Sequence, residues 1–251
     1  MIHLITYATE NMSKAAAKCS ASALKYGVNE THRFRPDSYP EWNSFNTFNK
    51  DILSQERGGG YWIWKPYFIL LTMHDLKDGD ILIYSDAGVE FINSVHHIID
   101  RMDEDIFFFG NNWNHVDWCK ADVYRNINAT GYEDCTGPYT IFKQVQASVI
   151  FFKVNDNTRR FVKEWLLYCQ MPGFIDDSPS KIPNYPTFQE HRHDQAILTC
   201  LQIKYGYKLH YWPAQYNNGA FVYEKLPEYA NDDYPIIFHH HRKRNNEWLQ
   251  V

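Results

Sequence analysis

The chain has 251 residues, of which 44% are hydrophobic, and a formal net charge of −5. This length and composition are typical of a globular protein with a sizeable core, and the negative charge argues against a nucleic-acid partner. The five cysteines lack CxxC spacing, which argues against a disulfide framework or a zinc knuckle. The sequence shows neither a signal peptide nor an 18-residue apolar run, so we expect a cytoplasmic protein without an integral membrane segment.

Segments rich in β-formers alternate with helix-forming segments along the chain. The first half predicts strands at 2–8, 31–36 and 80–85 and helices at 13–26, 44–55 and 66–76. The second half predicts strands at 106–110, 146–154, 208–212 and 236–239 and helices at 96–102, 158–169 and 194–205. This order indicates an α/β fold with a mostly parallel central sheet flanked by helices. The Pro-rich segment 171–186 is typical of an active-site loop or a lid.

The stretch DGDILIYSDAGVEF, residues 78–91, leads from a predicted buried strand to two carboxylates. Ligands of such sheets bind at the carboxyl ends of the strands, where Asp86 lies. If the extended conformation continues, Asp86, Gly88 and Glu90 face one way, and the carboxylates suit Mg²⁺ or Mn²⁺ shared with a substrate phosphate. In the alternative interpretation, Asp86 caps a turn and Glu90 is solvated.

The stretch RGGGYWIWKPYFILL, residues 57–71, combines three glycines with aromatic and basic side chains. Glycines permit a close approach of the backbone to a ligand, so Tyr61, Trp62, Trp64 and Lys65 are candidates to face a site. Lys65 would then meet a phosphate group. The alternative is a glycine loop before an amphipathic helix whose aromatic residues lie in the core.

The stretch HRHDQAIL, residues 191–198, starts a predicted helix. Asp194 is either an ordinary N-cap or, with Gln195, a residue at the mouth of the cleft. There its carboxylate would deprotonate an acceptor hydroxyl or stabilise a cationic sugar carbon. His193 is a polar neighbour on the same segment.

Three histidines precede a basic run in IIFHHHRKRN, residues 236–245. In an extended segment His239 and His241 share one face and His240 lies on the other. A neutral imidazole completing the shell of an ion beside Asp86 is one interpretation, and the basic run suggests an anionic ligand nearby.

Residues 146–148 open a predicted strand that would form the floor of the cleft on the acceptor side.

Together these motifs resemble the GT-A fold nucleotide-sugar glycosyltransferases, in particular the small bacterial and viral capsular-polysaccharide type. The order GGGYWIWKPYFI, DGDILIYSDAG, QASVIFFK and HRHDQAIL carries the resemblance, which spans nearly the whole chain. It implies one domain over 1–251. It also implies that Asp86 is the first acid of a DxD motif for Mn²⁺ or Mg²⁺, although Gly88 stands where the second acid belongs. Glu90, His239 and His241 are then the further candidate metal ligands.

The resemblance also implies the remaining roles. The donor, a UDP-sugar more than a GDP-sugar, would contact Thr6, Tyr7, Ala8, Trp64, Lys65, Asp86, Ala87, Gly88 and Arg242. Asp194 and Gln195 would be catalytic, and Gln146, Ser148 and His193 would face a glycan or other hydroxyl acceptor. The expected activity is a retaining transfer in polysaccharide biosynthesis.

Two other classes of function remain open from the sequence. Aromatic residues make up 17% of the chain and the second DxD acid is missing, which would suit a carbohydrate-binding protein without catalysis. Alternatively, Asp86, Glu90 and the histidines would hold one or two ions in a metal-dependent hydrolase or nucleotidyltransferase.

Overall fold

A computed structural model describes residues 1–36, 41–127, 142–216 and 219–248. Its helices are α1 (Ser13–Lys25), α2 (Glu41–Phe48), α3 (Lys50–Leu53), α4 (Gly58–Tyr61), α5 (Trp64–Asp75), α6 (His96–Ile99), α7 (Ala121–Asn126), α8 (Asp156–Cys169) and α9 (His193–Tyr205). Its strands are β1 (Ile2–Tyr7), β2 (Glu30–Phe34), β3 (Ile81–Ser85), β4 (Val89–Phe91), β5 (Ile106–Asn114), β6 (Lys143–Val145), β7 (Val149–Lys153), β8 (Leu209–His210), β9 (Ala214–Tyr216), β10 (Phe221–Val222) and β11 (Phe238–His240).

The main sheet has the strand order β2-β1-β3-β7-β5-β6, and β8 also pairs with β5. Strand β1 is parallel to β2 and β3, and β8 is parallel to β5. Strand β7 lies antiparallel between β3 and β5, and β6 is antiparallel to β5. Most of these strands therefore run in one direction, which confirms the predicted α/β class with a mostly parallel sheet.

A smaller sheet lies beside the main one, in the order β10-β9-β11-β4. Strand β4 follows β3 almost at once but pairs antiparallel with β11, so that Glu90 stands opposite His239. The chain therefore leaves the main sheet directly after Ser85 and enters the second sheet two residues after Ala87. This change of sheet decides which side chains face the cleft described below.

The two faces of the main sheet belong to two separate hydrophobic cores. Along β3, Leu82 and Tyr84 pack with α5, α8 and α9, whereas Ile83 packs with α1 and the second sheet. Along β7, Phe152 and Phe151 alternate in the same way. Successive side chains of a strand point to opposite faces, so a sheet covered on both sides needs these continuous apolar runs.

Several predicted boundaries shift in the structure for identifiable reasons. The helix expected over 44–55 is divided into α2 and α3 because Asn49 has non-helical dihedral angles, φ −114° and ψ 22°. Helix α5 begins two residues before Pro66, which therefore lies in the first turn, where a missing N–H costs nothing. Strands β4, β6, β9 and β10 are too short to show a periodic pattern and were not predicted. No helix among the described residues is both long and apolar enough to cross a membrane.

Candidate active site

A cleft of about 640 Å³ opens at the carboxyl ends of β1 and β3, where Tyr7 and Asp86 lie. Parallel strands end together at one edge of a sheet, and this edge is where α/β folds bind their ligands. The charged side chains that line it are Arg57, Lys65, Arg192, Arg242 and Arg244 against Glu56, Asp86 and Asp194. The excess of basic groups favours an anionic ligand.

Asp86 is fixed at the end of β3 by its backbone and by a phenol. Its N–H donates to the carbonyl of Ser148 at 2.8 Å, and its carbonyl accepts from Val89 N at 3.1 Å, which closes a turn. Tyr84 Oη donates to Asp86 Oδ1 at 2.6 Å. The carboxylate is held from below and keeps 30% of its surface exposed towards the cleft.

Lys65 and Asp194 form a buried ion pair on the floor of the cleft. Lys65 Nζ lies 2.9 Å from Asp194 Oδ2 and 3.8 Å from Asp86 Oδ1, and it donates to the carbonyl of Ala147 at 3.1 Å. Burial lowers the pKa of Lys65, but the carboxylates of Asp194 and Asp86 outweigh it, and the net pKa is raised. The Lys65 ammonium already has three protein partners, and the residue is only 3% exposed. Lys65 therefore holds the two carboxylates in position.

Asp194 carries an unusual carboxyl group. Burial raises its pKa to about 6 even though Lys65 favours the charged form. Trp165 Nε1 donates to the Asp194 carbonyl at 3.0 Å, which fixes the start of α9. The next residue, Gln195, accepts from Ala147 N at 3.3 Å and donates to Gln144 Oε1 at 2.7 Å. Both residues line the cleft in a rigid hydrogen-bond network.

The glycine-rich stretch forms a left-handed turn that builds one wall of the cleft. Residues 58–62 all have positive φ, and the last two, Tyr61 and Trp62, are not glycines. Trp64 Nε1 donates to the Gly58 carbonyl at 2.9 Å, and the Trp64 ring stacks on Tyr7 at 3.9 Å. Of the aromatic residues predicted to face a site, Trp62 and Trp64 line the cleft, whereas Tyr61 is buried against His193.

Gly88 stands where a DxD motif has its second acid, and a side chain there would press on the backbone of the Arg242 segment. A Cβ at position 88 would lie 3.0 Å from Arg242 Cα and 3.3 Å from Arg242 N. The Gly88 carbonyl accepts from the N–H groups of His241 at 2.9 Å and Arg242 at 3.2 Å, which ties the two segments together. The guanidinium-bearing segment therefore occupies the position of the missing carboxylate.

The structure corrects the predicted roles of the histidines. His240, not His239 or His241, lines the cleft, because β11 enters the second sheet with the opposite face turned inward. His239 Nδ1 lies 3.7 Å from Glu90, and the His241 ring contacts Trp248. His239 and His241 are therefore not beside Asp86.

The predicted role of Glu90 as a metal ligand in the cleft is also corrected. The turn after Asp86 breaks the extended conformation that the sequence reasoning assumed, and β4 then carries Glu90 into the second sheet. Its carboxylate pairs with Lys18 at 2.8 Å and does not line the cleft. Glu90 is therefore not placed with Asp86 in the lining of the cleft.

Among the remaining cleft residues, Asp86 and His240 have side chains that would hold one divalent ion, His240 only once Arg242 Nε, which donates to its Nε2 at 3.4 Å, turns away. Asp86 offers a carboxylate, and burial together with Arg242 lowers the pKa of His240 to about 4, so its imidazole is neutral at pH 7, as a metal ligand must be. His240 Nδ1 lies 3.3 Å from Tyr216 Oη, and Nε2 lies 3.4 Å from Arg242 Nε. Two protein ligands suffice where substrate phosphates complete the shell, as is usual for Mg²⁺.

Most of the predicted site residues lie together in this cleft. It is lined by Tyr7, Ala8, Trp64, Lys65, Asp86, Ala87, Gly88, Gln146, Ser148, His193, Asp194, Gln195 and Arg242. Thr6, in β1, is only 1% exposed and does not line the cleft.

Sequence reasoning assigned no role to several other cleft residues, namely Asn11, Arg57, Asn111, Trp113, Arg192, Tyr223 and Arg244. They come from loops and strand ends far apart in the chain, and no spacing connects them.

The comparisons with known proteins support the fold. No protein-family model matches the sequence, and no curated protein matches it significantly. In structure, the chain is similar to the galactosyltransferase LgtC in complex with donor and acceptor sugar analogues, with a TM-score of 0.52 and 15% identity over 96% of this chain and 87% of that one. It is also similar to the bifunctional glycosyltransferase WbbM, with a TM-score of 0.54 and 9% identity over 96% of this chain and 45% of that one. The chain therefore has the GT-A fold that these glycosyltransferases share.

Proposed function

We propose that this protein is a glycosyltransferase that moves a sugar from a nucleotide-diphosphate sugar to a hydroxyl group of a glycan. One observation carries the proposal: the Asp86 carboxylate stands at the end of β3, inside a basic cleft, at the ligand-binding edge of a GT-A fold. A cleft of about 640 Å³ is in the range typical of small-molecule sites. On this proposal residues 1–251 act as one domain, in polysaccharide biosynthesis.

The donor would lie across the ends of β1 and β3. Tyr7 and Ala8 offer a surface for the base and ribose. The diphosphate would lie along the backbone of residues 86–88. UDP fits the resemblance better than GDP. Arg242 and Arg244 lie beside this path and line the cleft. Their segment is held in place by Asn245, whose Oδ1 accepts from Lys14 N at 3.0 Å. Arginine forks are well suited to phosphate oxygens.

Asp86 and His240 would hold Mn²⁺ or Mg²⁺. When bound, such an ion neutralises charge on the leaving diphosphate. Arg242 Nε donates to His240 Nε2 here, so binding of the ion by His240 would release the Arg242 guanidinium, which would then meet the diphosphate as a second positive charge. Lys65, which the sequence suggested as a phosphate contact, instead holds Asp86 and Asp194 in position.

Asp194 and Gln195 would face the reacting sugar carbon. Asp194 is 3% exposed and its Oδ2 is paired with Lys65, so it is poorly placed to take a proton from an acceptor hydroxyl, the role that would imply inversion. We therefore propose retention of configuration. NMR of the product's anomeric proton tests this point separately from the activity itself.

The acceptor would enter from the side of β5 and β6. Gln146 and Ser148 lie in the turn that follows β6 and line the cleft there. His193, although it lines the cleft, is bound by Nδ1 to the Ile175 carbonyl at 2.7 Å and stacks on Tyr61, so it shapes the pocket. The displacement of Glu90 and His239 from the cleft weakens the alternative of a two-ion hydrolase or nucleotidyltransferase.

A thermal-shift screen tests the proposal. UDP-, GDP-, CMP- and dTDP-linked sugars are added with and without Mn²⁺ to the wild type, to Asp86→Ala and to Glu90→Gln. A ligand at a hundredfold excess over Kd stabilises the fold by about 2.7 kcal/mol. We expect one nucleotide class to raise Tm, with Mn²⁺ increasing the shift, in the wild type and Glu90→Gln but not in Asp86→Ala.

Glu90→Gln is the matched control because the sequence makes Glu90 a candidate ligand and the structure removes it. If no nucleotide sugar shifts Tm, the transferase proposal fails and a carbohydrate-binding protein becomes the better interpretation.

A further inference from the structure

An exposed indole stands at the rim of the cleft on the side opposite the proposed donor path. Trp113 lines the cleft and has 38% of its surface in solvent. It lies at the end of β5, whereas Tyr7 and Ala8 end β1. A single exposed apolar side chain is ordinary at a protein surface, but this one lines the cleft.

The backbone of β5 is distorted where it presents this ring. The pairing of β5 with β6 shifts register between Gly110 and Asn114, and Asn112 has a φ of +64°. Asn111 Oδ1 accepts from Trp113 N at 3.0 Å, and Asn112 Nδ2 donates to the Glu224 carbonyl at 2.8 Å. Irregularities of this kind re-aim side chains next to functional sites. The distortion is fixed by hydrogen bonds on both sides of the indole.

The ring itself is held rigidly from behind. Trp113 stacks on Trp118 with centroids 4.7 Å apart and planes at 27°. The guanidinium of Arg192 lies 4.6 Å from the Trp118 ring and 5.3 Å from the Trp113 ring, and Glu190 pairs with it at 2.9 Å. These contacts hold the ring in place, so little conformational entropy is lost when a flat partner packs on the part of it that is in solvent.

We propose that Trp113 is the platform for the pyranose ring of the acceptor, and that this sugar is uncharged. The axial C–H groups of a pyranose form an apolar face that packs on an indole, while its hydroxyls need amide partners. Gln146 lines the same cleft and offers its amide oxygen, since within the described part of the chain only its Nε2 is used, to donate to Tyr216 Oη. Arg192 is already paired with Glu190, so an acidic sugar gains no free cation from it. This inference rests on the proposed function, since it names the acceptor of the same site.

A nucleobase is the competing occupant of an aromatic platform, because stacking tolerates any flat ring. The position of Trp113 at the β5 end favours the sugar, since the strand ends that would receive the nucleotide are those of β1 and β3. The two occupants predict different losses when the indole is removed.

Saturation-transfer NMR measures which occupant binds. The probes are the methyl α- and β-pyranosides of glucose, galactose and N-acetylglucosamine, with and without UDP, and UDP binding is followed separately by calorimetry. The proteins are the wild type, Trp113→Ala, Trp113→Phe and Phe48→Ala, in which an aromatic residue 86% exposed outside the cleft is removed. We expect Trp113→Ala to weaken pyranoside binding about tenfold, Trp113→Phe to weaken it less, and Phe48→Ala to leave it unchanged.

Each result decides between the possibilities. Unchanged pyranoside binding in Trp113→Ala, or no saturation transfer to any pyranoside in a wild type that binds UDP, overturns the platform. Loss of UDP binding in Trp113→Ala assigns the ring to the nucleobase and also overturns it. Pyranoside binding that depends on Trp113 in a protein that does not bind UDP would uphold the platform and reject the transferase.

Discussion

Restoring a side chain at Gly88 tests the account of the missing DxD acid. The φ of Gly88 lies outside the left-handed region, so alanine meets no backbone strain there, and any cost is steric. The new Cβ would lie 3.0 Å from Arg242 Cα and 3.3 Å from Arg242 N, and these are backbone atoms that cannot rotate away. We therefore expect Gly88→Ala to displace the Arg242 segment.

The size of the effect follows from the contact. Overpacking by one methyl group against a fixed backbone costs about 1–3 kcal/mol. For a chain of this size, each kcal/mol lowers Tm by about 2–4 °C, so Gly88→Ala should lose about 2–12 °C. Gly79→Ala is a comparison and not a neutral control: a Cβ there meets nothing within 4 Å, so its loss of Tm reports only the backbone strain of alanine at a φ of +89°.

Gly88→Asp extends the same test to metal binding. The new carboxylate restores the DxD motif. However, displacement of the Arg242 segment moves the guanidinium that should face the donor phosphates. We expect the variant to lose donor binding and to gain no Mn²⁺ affinity in calorimetry with UDP present. A Gly88→Asp protein of unchanged Tm that binds Mn²⁺ more tightly would refute the reasoning, because the Arg242 backbone would then have moved at no cost.

Three further predictions concern the floor and wall of the cleft. Lys65→Met leaves Asp194 buried without its partner and should lower the free energy of unfolding, measured in urea, by about 3–5 kcal/mol. Adding Asp194→Asn should recover part of that loss, and additive losses would contradict the coupling. Because the pKa of Asp194 is about 6 in the folded state against an ordinary value of 3.8, the folded state binds more protons between these values. The free energy of unfolding should therefore fall as pH rises from 4 to 6, and Asp194→Asn should flatten that slope; an equal slope in both proteins would contradict it. His240→Ala should weaken Mn²⁺-dependent donor binding about tenfold or more, and His239→Ala should not, as measured by Tm shift.

The local pattern of the sequence was enough to predict the α/β class with its mostly parallel sheet, whereas the GT-A fold was predicted from the resemblance. Strands β3 and β7 are nearly continuous apolar runs whose side chains alternate between the two cores. Such runs identify a sheet covered on both faces. Helices α8 and α9 have clear ends, since Asn155 and Thr158 form a capping box and Gly206 adopts the left-handed conformation after Tyr205. Signals of this kind lie within a few residues and need no tertiary information.

The errors at the site have a common physical origin. The face of Glu90 was inferred by continuing the period of two of β3 past Asp86, which holds only while the strand stays in one sheet. The period of two held for His239 and His241, which share a face and whose ring centroids lie 6.0 Å apart, but the opposite face turns to the cleft. The turn closed by Val89 N and the Asp86 carbonyl moves the chain into another sheet, and pairing with β11 then fixes the register. Which of three adjacent histidines faces the cleft is decided by that pairing, so no local rule assigns it.

Backbone strain marks the site more sharply than residue type does. Among the described residues, non-glycine residues have positive φ at Tyr61, Trp62, Asn112, His193 and Arg242. Three of these line the cleft, Tyr61 stacks on His193, and Asn112 joins two cleft residues. Each such conformation costs of order 1–3 kcal/mol and persists only where surrounding contacts enforce it. Their concentration around one cavity, on four separate segments of the chain, is difficult to explain by stability alone. It argues that this wall is shaped to bind a ligand.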